Sequence, residues 1–232
     1  MIKVPNHHFV GDGKGGWLKR PGRIKMRLSV LEHGPSDAIA DAVIQKSSRL
    51  QGRMLPPVRE RLRYFLQAYL DLETYLSTPM GDVPVQADGA KVRNLWHLYL
   101  VRGRELIDIL GSVVHLCFNL NGRRNGLNAK KLARLKADAA QLSGKLDGIE
   151  CLLACIEAHE ELVVSFIDLR NRDKDRNDTL VEPPFISETG DATEGVLDMG
   201  AGAREDFVRY LRKSYQEILG FCCCFLGSEV PN

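Results

Sequence analysis

The chain has 232 residues, 44% of them hydrophobic and 27% charged, with a formal net charge of +2. That balance excludes an intrinsically disordered chain, which combines low apolar content with a large net charge. No apolar run approaches the roughly 18 residues of a spanning helix, so no membrane partner is expected.

Residues 1–35 hold Gly11, Gly13, Gly15, Gly16, Gly22 and Gly34 with Pro5, Pro21 and Pro35, and read as an irregular arm. Within the arm, Arg23-Ile-Lys-Met-Arg-Leu-Ser-Val-Leu alternates basic and apolar residues, the period of a short strand. From Ser36 the period becomes helical. Pro35-Ser36-Asp37 is expected to cap a first helix over 37–51, with Ile39, Val43, Ile44 and Leu50 on one side. Pro56-Pro57 opens a second helix over 57–77, whose buried stripe is Leu62, Phe65, Leu66, Tyr69, Leu70, Leu72, Tyr75 and Leu76. A third helix is predicted over 90–120, with Gly103 and Gly111 marking a bend or a close helix contact. A fourth spans 128–146 and a fifth 149–170, separated or kinked at Leu146-Asp147-Gly148. Residues 171–202 lose the helical period and read as a long loop, with Thr179-Leu180-Val181-Glu182 and Phe185-Ile186-Ser187 as short extended pieces. A last helix is predicted over 203–226. The expected fold is an all-α antiparallel bundle of five or six helices, residues 36–232, preceded by the arm.

The N-terminus Met1-Ile-Lys-Val-Pro-Asn-His-His has no apolar stretch after its basic start, so a secretory leader is not expected. The cysteines Cys117, Cys151, Cys155, Cys222, Cys223 and Cys224 mostly sit in apolar helical pattern. They read as buried free thiols and place the chain in a reducing cytoplasm. Cys151, Cys155 and His159 recur every four residues on the fifth helix. The first and third lie about 12 Å apart along the axis, too far to share one ion, and no metal or cofactor is expected. Gly11-Asp-Gly13-Lys-Gly15-Gly16 matches G-x-G-x-x-G in form, but no strand–helix–strand unit surrounds it, so it reads as a loop.

Charge is distributed in blocks. Residues 121–137 hold Arg123, Arg124, Lys130, Lys131, Arg134 and Lys136 without an acid, and residues 182–198 hold Glu182, Glu188, Asp191, Glu194 and Asp198 without a base. Such blocks serve either as a polyanion site or as solvated faces that pair with each other. The most distinctive stretch is Leu169-Arg170-Asn171-Arg172-Asp173-Lys174-Asp175-Arg176-Asn177-Asp178. It stands at the end of an apolar helix and reads either as a solvated cap or as a functional corner.

This stretch resembles the R-N-x-x-x-x-H motif of the HEPN family of small all-helical bundles. Arg170-Asn171 matches its start, and Arg176 stands where the family has histidine. The helix order over 37–226, with the motif before a final helix, is loosely similar too. The resemblance implies metal-independent RNA cleavage at a dimer interface, where the arginine holds phosphate and the histidine moves the ribose 2′-hydroxyl proton. Arginine does not give up its proton in proteins, so Arg176 cannot be that base, although its planar fork can still bind phosphate. His159 lies eleven residues before Arg170, about 16 Å away along a helix, and cannot replace it. The implied protein is therefore an RNA- or nucleotide-binding homo-oligomer with no catalytic residue. Arg170 and Arg176 would contact phosphate and Asn171 would orient the arginine or cap the helix. Arg123, Arg124, Lys130 and Lys131 would widen the polyanion surface. The alternative expectation is a helical interaction module that dimerises through an apolar face and binds no small ligand.

Overall fold

The computed structural model describes residues 34–46, 55–77, 89–117, 127–145, 149–175, 181–186, 192–193 and 195–227. All belong to one compact unit, His33–Asn232. The arm before residue 34, with its G-x-G-x-x-G loop and alternating stretch, lies outside the described residues.

Helix α1 (Pro35–Gln45) starts with proline in its first turn, where the missing N–H costs nothing. It is shorter than the predicted 37–51. Its N-cap is Gly34, without a side-chain cap. Ser36, expected to cap, is buried and donates its hydroxyl to Gln67 Oε1 at 2.9 Å. The hydroxyl therefore bridges to helix α2 (Leu55–Ser77) rather than closing its own helix. Four of the eight stripe residues of α2, Leu62, Phe65, Leu66 and Leu72, are at most 1% exposed. Tyr69 is buried as well, and Leu70, Tyr75 and Leu76 flank them half-buried.

Helix α3 (Gly89–Cys117) is the longest and carries Trp96, Tyr99, Leu100, Leu106, Ile107 and Leu110 into the core. Its aromatic centre joins several elements. Tyr99 meets Phe65 of α2 at 5.4 Å and Phe166 of helix α5 (Ile149–Asp175) at 5.6 Å between ring centroids. Trp96 meets Phe207 edge-on at 5.3 Å. Such contacts add to the burial of large apolar surface that holds the bundle. The Tyr99 hydroxyl, fully buried, is satisfied by Ser214 at 2.9 Å.

Helix α4 (Ala129–Leu142) begins at Asn128, whose side chain accepts from Lys131 N. It stops before the predicted 146. In the turn that follows, Glu150 of α5 accepts from Gly144 N at 2.6 Å and from Ser143 Oγ at 3.1 Å. Two separate helices result. Leu146, Asp147 and Gly148 lie outside the described residues.

Residues 171–202 are not one long loop. The first five continue α5 to Asp175. Leu169 is buried in this last stretch, and Arg172 and Lys174 in its last turn complement the helix dipole. Strand β1 (Val181–Glu182) then pairs with β4 (Val196–Gly200), which pairs with β5 (Ala203–Asp206), all antiparallel. A second pair joins β2 (Phe185–Ile186) and β3 (Ala192–Thr193). Val181 faces Leu197 across the first pair, and both side chains are buried. That cross-strand contact gives the small sheet its apolar foot.

Helix α6 (Phe207–Leu226) starts later than predicted, because 203–206 belong to β5 and Asp206 caps the helix by accepting from Arg209 N. Cys222 and Cys223 are buried and Cys224 half-buried, as a packing role requires. The described residues are thus mostly helical, six helices with a small sheet between α5 and α6. No described helix is long and apolar enough to cross a membrane.

Candidate polyanion site

The predicted corner lies along the seam between α3 and α5. Gly103 of α3 sits against the ring of Phe166: a Cβ added there would lie 2.5 Å from the ring. The missing side chain lets the two helices approach closely. Contacts along the seam run in opposite sequence order, His97 with Asp173 and Gly103 with Phe166, so these two helices are antiparallel. On α3, residues 97, 104 and 108 are spaced by seven and four and share one face beside the buried stripe.

That face carries the polar groups of the seam. At one end His97 Nδ1 meets Asp173 Oδ2 at 2.5 Å; the imidazole is 55% exposed and the carboxylate 16%. Further along is Arg104, on which Arg170 of α5 acts as a like charge. Arg104 Nη2 approaches Asp108 Oδ1 to 2.8 Å. The approach is off the hydrogen-bonding direction, so the contact is an ion pair. Arg104 Nη1 is buried with no acceptor among the described residues. Burial lowers the Arg104 guanidinium, the Asp108 charge opposes this, and the like charge of Arg170 adds to the lowering. Burial also raises the Asp108 carboxyl, while Arg104, the Leu127 backbone and Lys131 at the start of α4 oppose it. Arg104 therefore feels both Asp108 and Arg170, and Asp108 feels both Arg104 and Lys131.

The sequence-predicted residues divide. Arg170 and Lys131 are half-buried, the first acting on Arg104 and the second on Asp108, and Lys130 is exposed on the first turn of α4. Asn171 is exposed inside α5 and caps nothing, a correction that follows from the longer helix. Arg123, Arg124 and Arg176 lie outside the described residues. Arg172, inside the same motif, is spent on the hairpin instead. Its Nη1 donates to the Asp198 carbonyl at 3.2 Å, and its Nη2 lies 3.4 Å from the Asp198 carboxylate. The guanidinium lies over Gly200 (φ 91°), where a Cβ would come within 2.8 Å of it. So one member of the acidic block does pair with a basic neighbour.

The other candidates resolve into packing. His159 Nδ1 contacts Glu217 of α6 at 2.7 Å. Cys151 is exposed while Cys155 is buried with its thiol toward Phe221 O, so spacing by four does not give the three a common environment. Among the described residues, no group of three His, Cys, Asp or Glu side chains is placed to hold a metal ion. Sequence reading missed His97, Arg104 and Asp108. The signal available was their spacing by seven and four along the border of an apolar stripe.

Comparison with family models, with curated proteins and with solved structures gives no match to this chain.

Proposed function

We propose that this is a cytoplasmic, HEPN-like protein that binds RNA or a nucleotide along the α3–α5 seam. It lacks the family's nuclease chemistry, because Arg176 takes the place of the motif histidine. The homo-oligomer that the resemblance implies belongs to the same proposal. One observation carries the reading: Arg104, which feels the like charge of Arg170, pairs with Asp108 and keeps a buried Nη1 with no acceptor among the described residues. Like charges held together in a partly desolvated seam cost free energy that a bound anion recovers. Guanidinium forks suit phosphate oxygens in particular.

The test is an RNA titration of the full chain at two salt concentrations. With roughly three phosphate contacts, affinity falls about twentyfold between 50 and 200 mM salt. Arg170→Ala and Arg104→Ala each weaken binding by about 1.5–3 kcal/mol, the range for a charged hydrogen bond. Unchanged affinity in both variants removes the seam as the site, and absence of binding removes the reading altogether.

A further inference from the structure

Two histidines are each held by a carboxylate from another helix, and their surroundings differ. His97 of α3 meets Asp173 of α5, and His159 of α5 meets Glu217 of α6, both through Nδ1. An ionised carboxylate only accepts hydrogen bonds, so in a neutral ring Nδ1 carries the proton and Nε2 the lone pair. At His159 that lone pair is shut in. The imidazole is 20% exposed, and a Cβ at Gly220 of α6 would come within 3.2 Å of Cε1 and 3.7 Å of Nε2. Phe221 meets the same ring edge-on at 6.1 Å. At His97 the imidazole is 55% exposed, while the Asp173 carboxylate that holds it is only 16% exposed. Nδ1 is the edge turned to Asp173, so the open edge carries Nε2. A packed carboxylate thus sets the tautomer and orientation of a nitrogen nucleophile that a helix presents to solvent. Arg93, one turn before His97 on the same helix face, and Lys174, next to Asp173, are exposed cations along the two helices.

We propose that His97 is a phosphoacceptor, modified at Nε2 by a small acyl phosphate, with Asp173 as its positioning residue. The Nε2 lone pair attacks phosphorus. The N–P bond forms as the P–O bond to the acyl group breaks, and the bonding pair leaves with the acyl oxygen as a carboxylate. No proton is transferred: Nδ1 keeps its hydrogen, and the positive charge that the ring gains lies against the Asp173 carboxylate. The mixed anhydride supplies the drive for an N–P bond, and a donor this small reaches an exposed nitrogen without a binding cleft. The neighbouring cations complement the charged phosphoryl group. This modification goes beyond the RNA-binding reading and stands or falls without it.

The test is incubation of the full chain with acetyl phosphate, followed by phosphorus NMR and peptide mapping in alkali, where phosphohistidine survives. Phosphate is expected on Nε2 of His97 and not on His159, and His97→Gln abolishes it. Asp173→Asn slows labelling about tenfold, the low end of the loss when a histidine's supporting carboxylate is removed. The ring is then no longer held in one tautomer, so phosphate appears on Nδ1 as well. That change of isomer separates positioning from a merely structural role. Labelling that misses His97, that spreads evenly over the histidines, or that persists in His97→Gln overturns the proposal. So does an Asp173→Asn variant with unchanged rate and unchanged isomer. The pattern on the unaltered chain is itself decisive, so the outcome does not depend on how well either variant folds.

Discussion

Two arginine pairs bridge neighbouring helices in this molecule, and their charges are balanced differently. Between α1 and α2, Arg59 and Arg63 face Asp37 and Asp41. Arg59 Nη2 donates to Asp41 at 2.9 Å and reaches Asp37 at 3.4 Å, and Arg63 lies 3.7 Å from Asp37. Hydrogen bonding to Asp41 raises the Arg59 guanidinium further, outweighing its partial burial. Between α3 and α5, Arg104 pairs with Asp108 alone and feels the like charge of Arg170, and burial lowers the Arg104 guanidinium instead. The residue types are the same, but Arg59 reaches two carboxylates, whereas Arg104 keeps one buried nitrogen without an acceptor among the described residues. A balanced pair needs nothing from outside; an unbalanced one has a use for an anion.

The strongest way to break the comparison is to separate the helices that make the unbalanced pair. Gly103→Ala puts a methyl group against the Phe166 ring and is expected to cost about 1–3 kcal/mol, read from urea unfolding. It should also weaken anion binding, because Arg104 and Arg170 are then misplaced relative to each other. A variant that keeps full stability would show that the seam is looser than the contact implies.

A sharper test compares the two pairs directly. Arg59→Ala is expected to destabilise the fold by about 0.5–1 kcal/mol, since its partners are partly exposed. Arg170→Ala should leave stability unchanged within about 0.5 kcal/mol, or raise it, because a repulsion is relieved. Opposite behaviour, with Arg170 the more stabilising of the two, would make the α3–α5 pair a structural clamp and not a site.

The smallest expected effect is in pH dependence. Burial is the largest cause of the rise in the Asp108 carboxyl. An acid whose pKa rises on folding holds its proton longer in the folded state. Its contribution to stability therefore falls as pH rises from the ordinary value near 3.8 toward the raised one. Glu150, bound by the Gly144 amide, shifts down and acts in the opposite direction. Subtracting the urea-unfolding profile of Asp108→Asn from that of the unaltered protein isolates the first effect. The difference should slope downward with pH above about 4; a flat difference means that Arg104 cancels the burial.

Much of the helical framework could be read along the chain. The stripe from Leu62 to Leu76 and the apolar set of α3 repeat at the helical period, and burial follows that repeat because one face of a helix meets the core. The triplet Cys222 to Cys224 and the close contact at Gly103 were legible for the same local reason. Helix ends were less so. Ser36 turned its hydroxyl toward Gln67 instead of capping, and the polar residues after Leu169 stayed helical because Asp173 and Arg172 find partners on other elements. Of the proposed site, Arg170 and Lys131 could be singled out from charge alone. Arg104, Asp108 and His97 could not, since each matters only through a residue far away in sequence.

Composition and periodicity by themselves determined that this chain folds mainly as packed helices, because burying apolar stripes is a local property repeated along the backbone. Which arginine meets a carboxylate and which meets another arginine was decided only when the helices came together. Charge balance depends on separations of a few ångströms between distant residues, and no spacing along a single strand of sequence contains that distance.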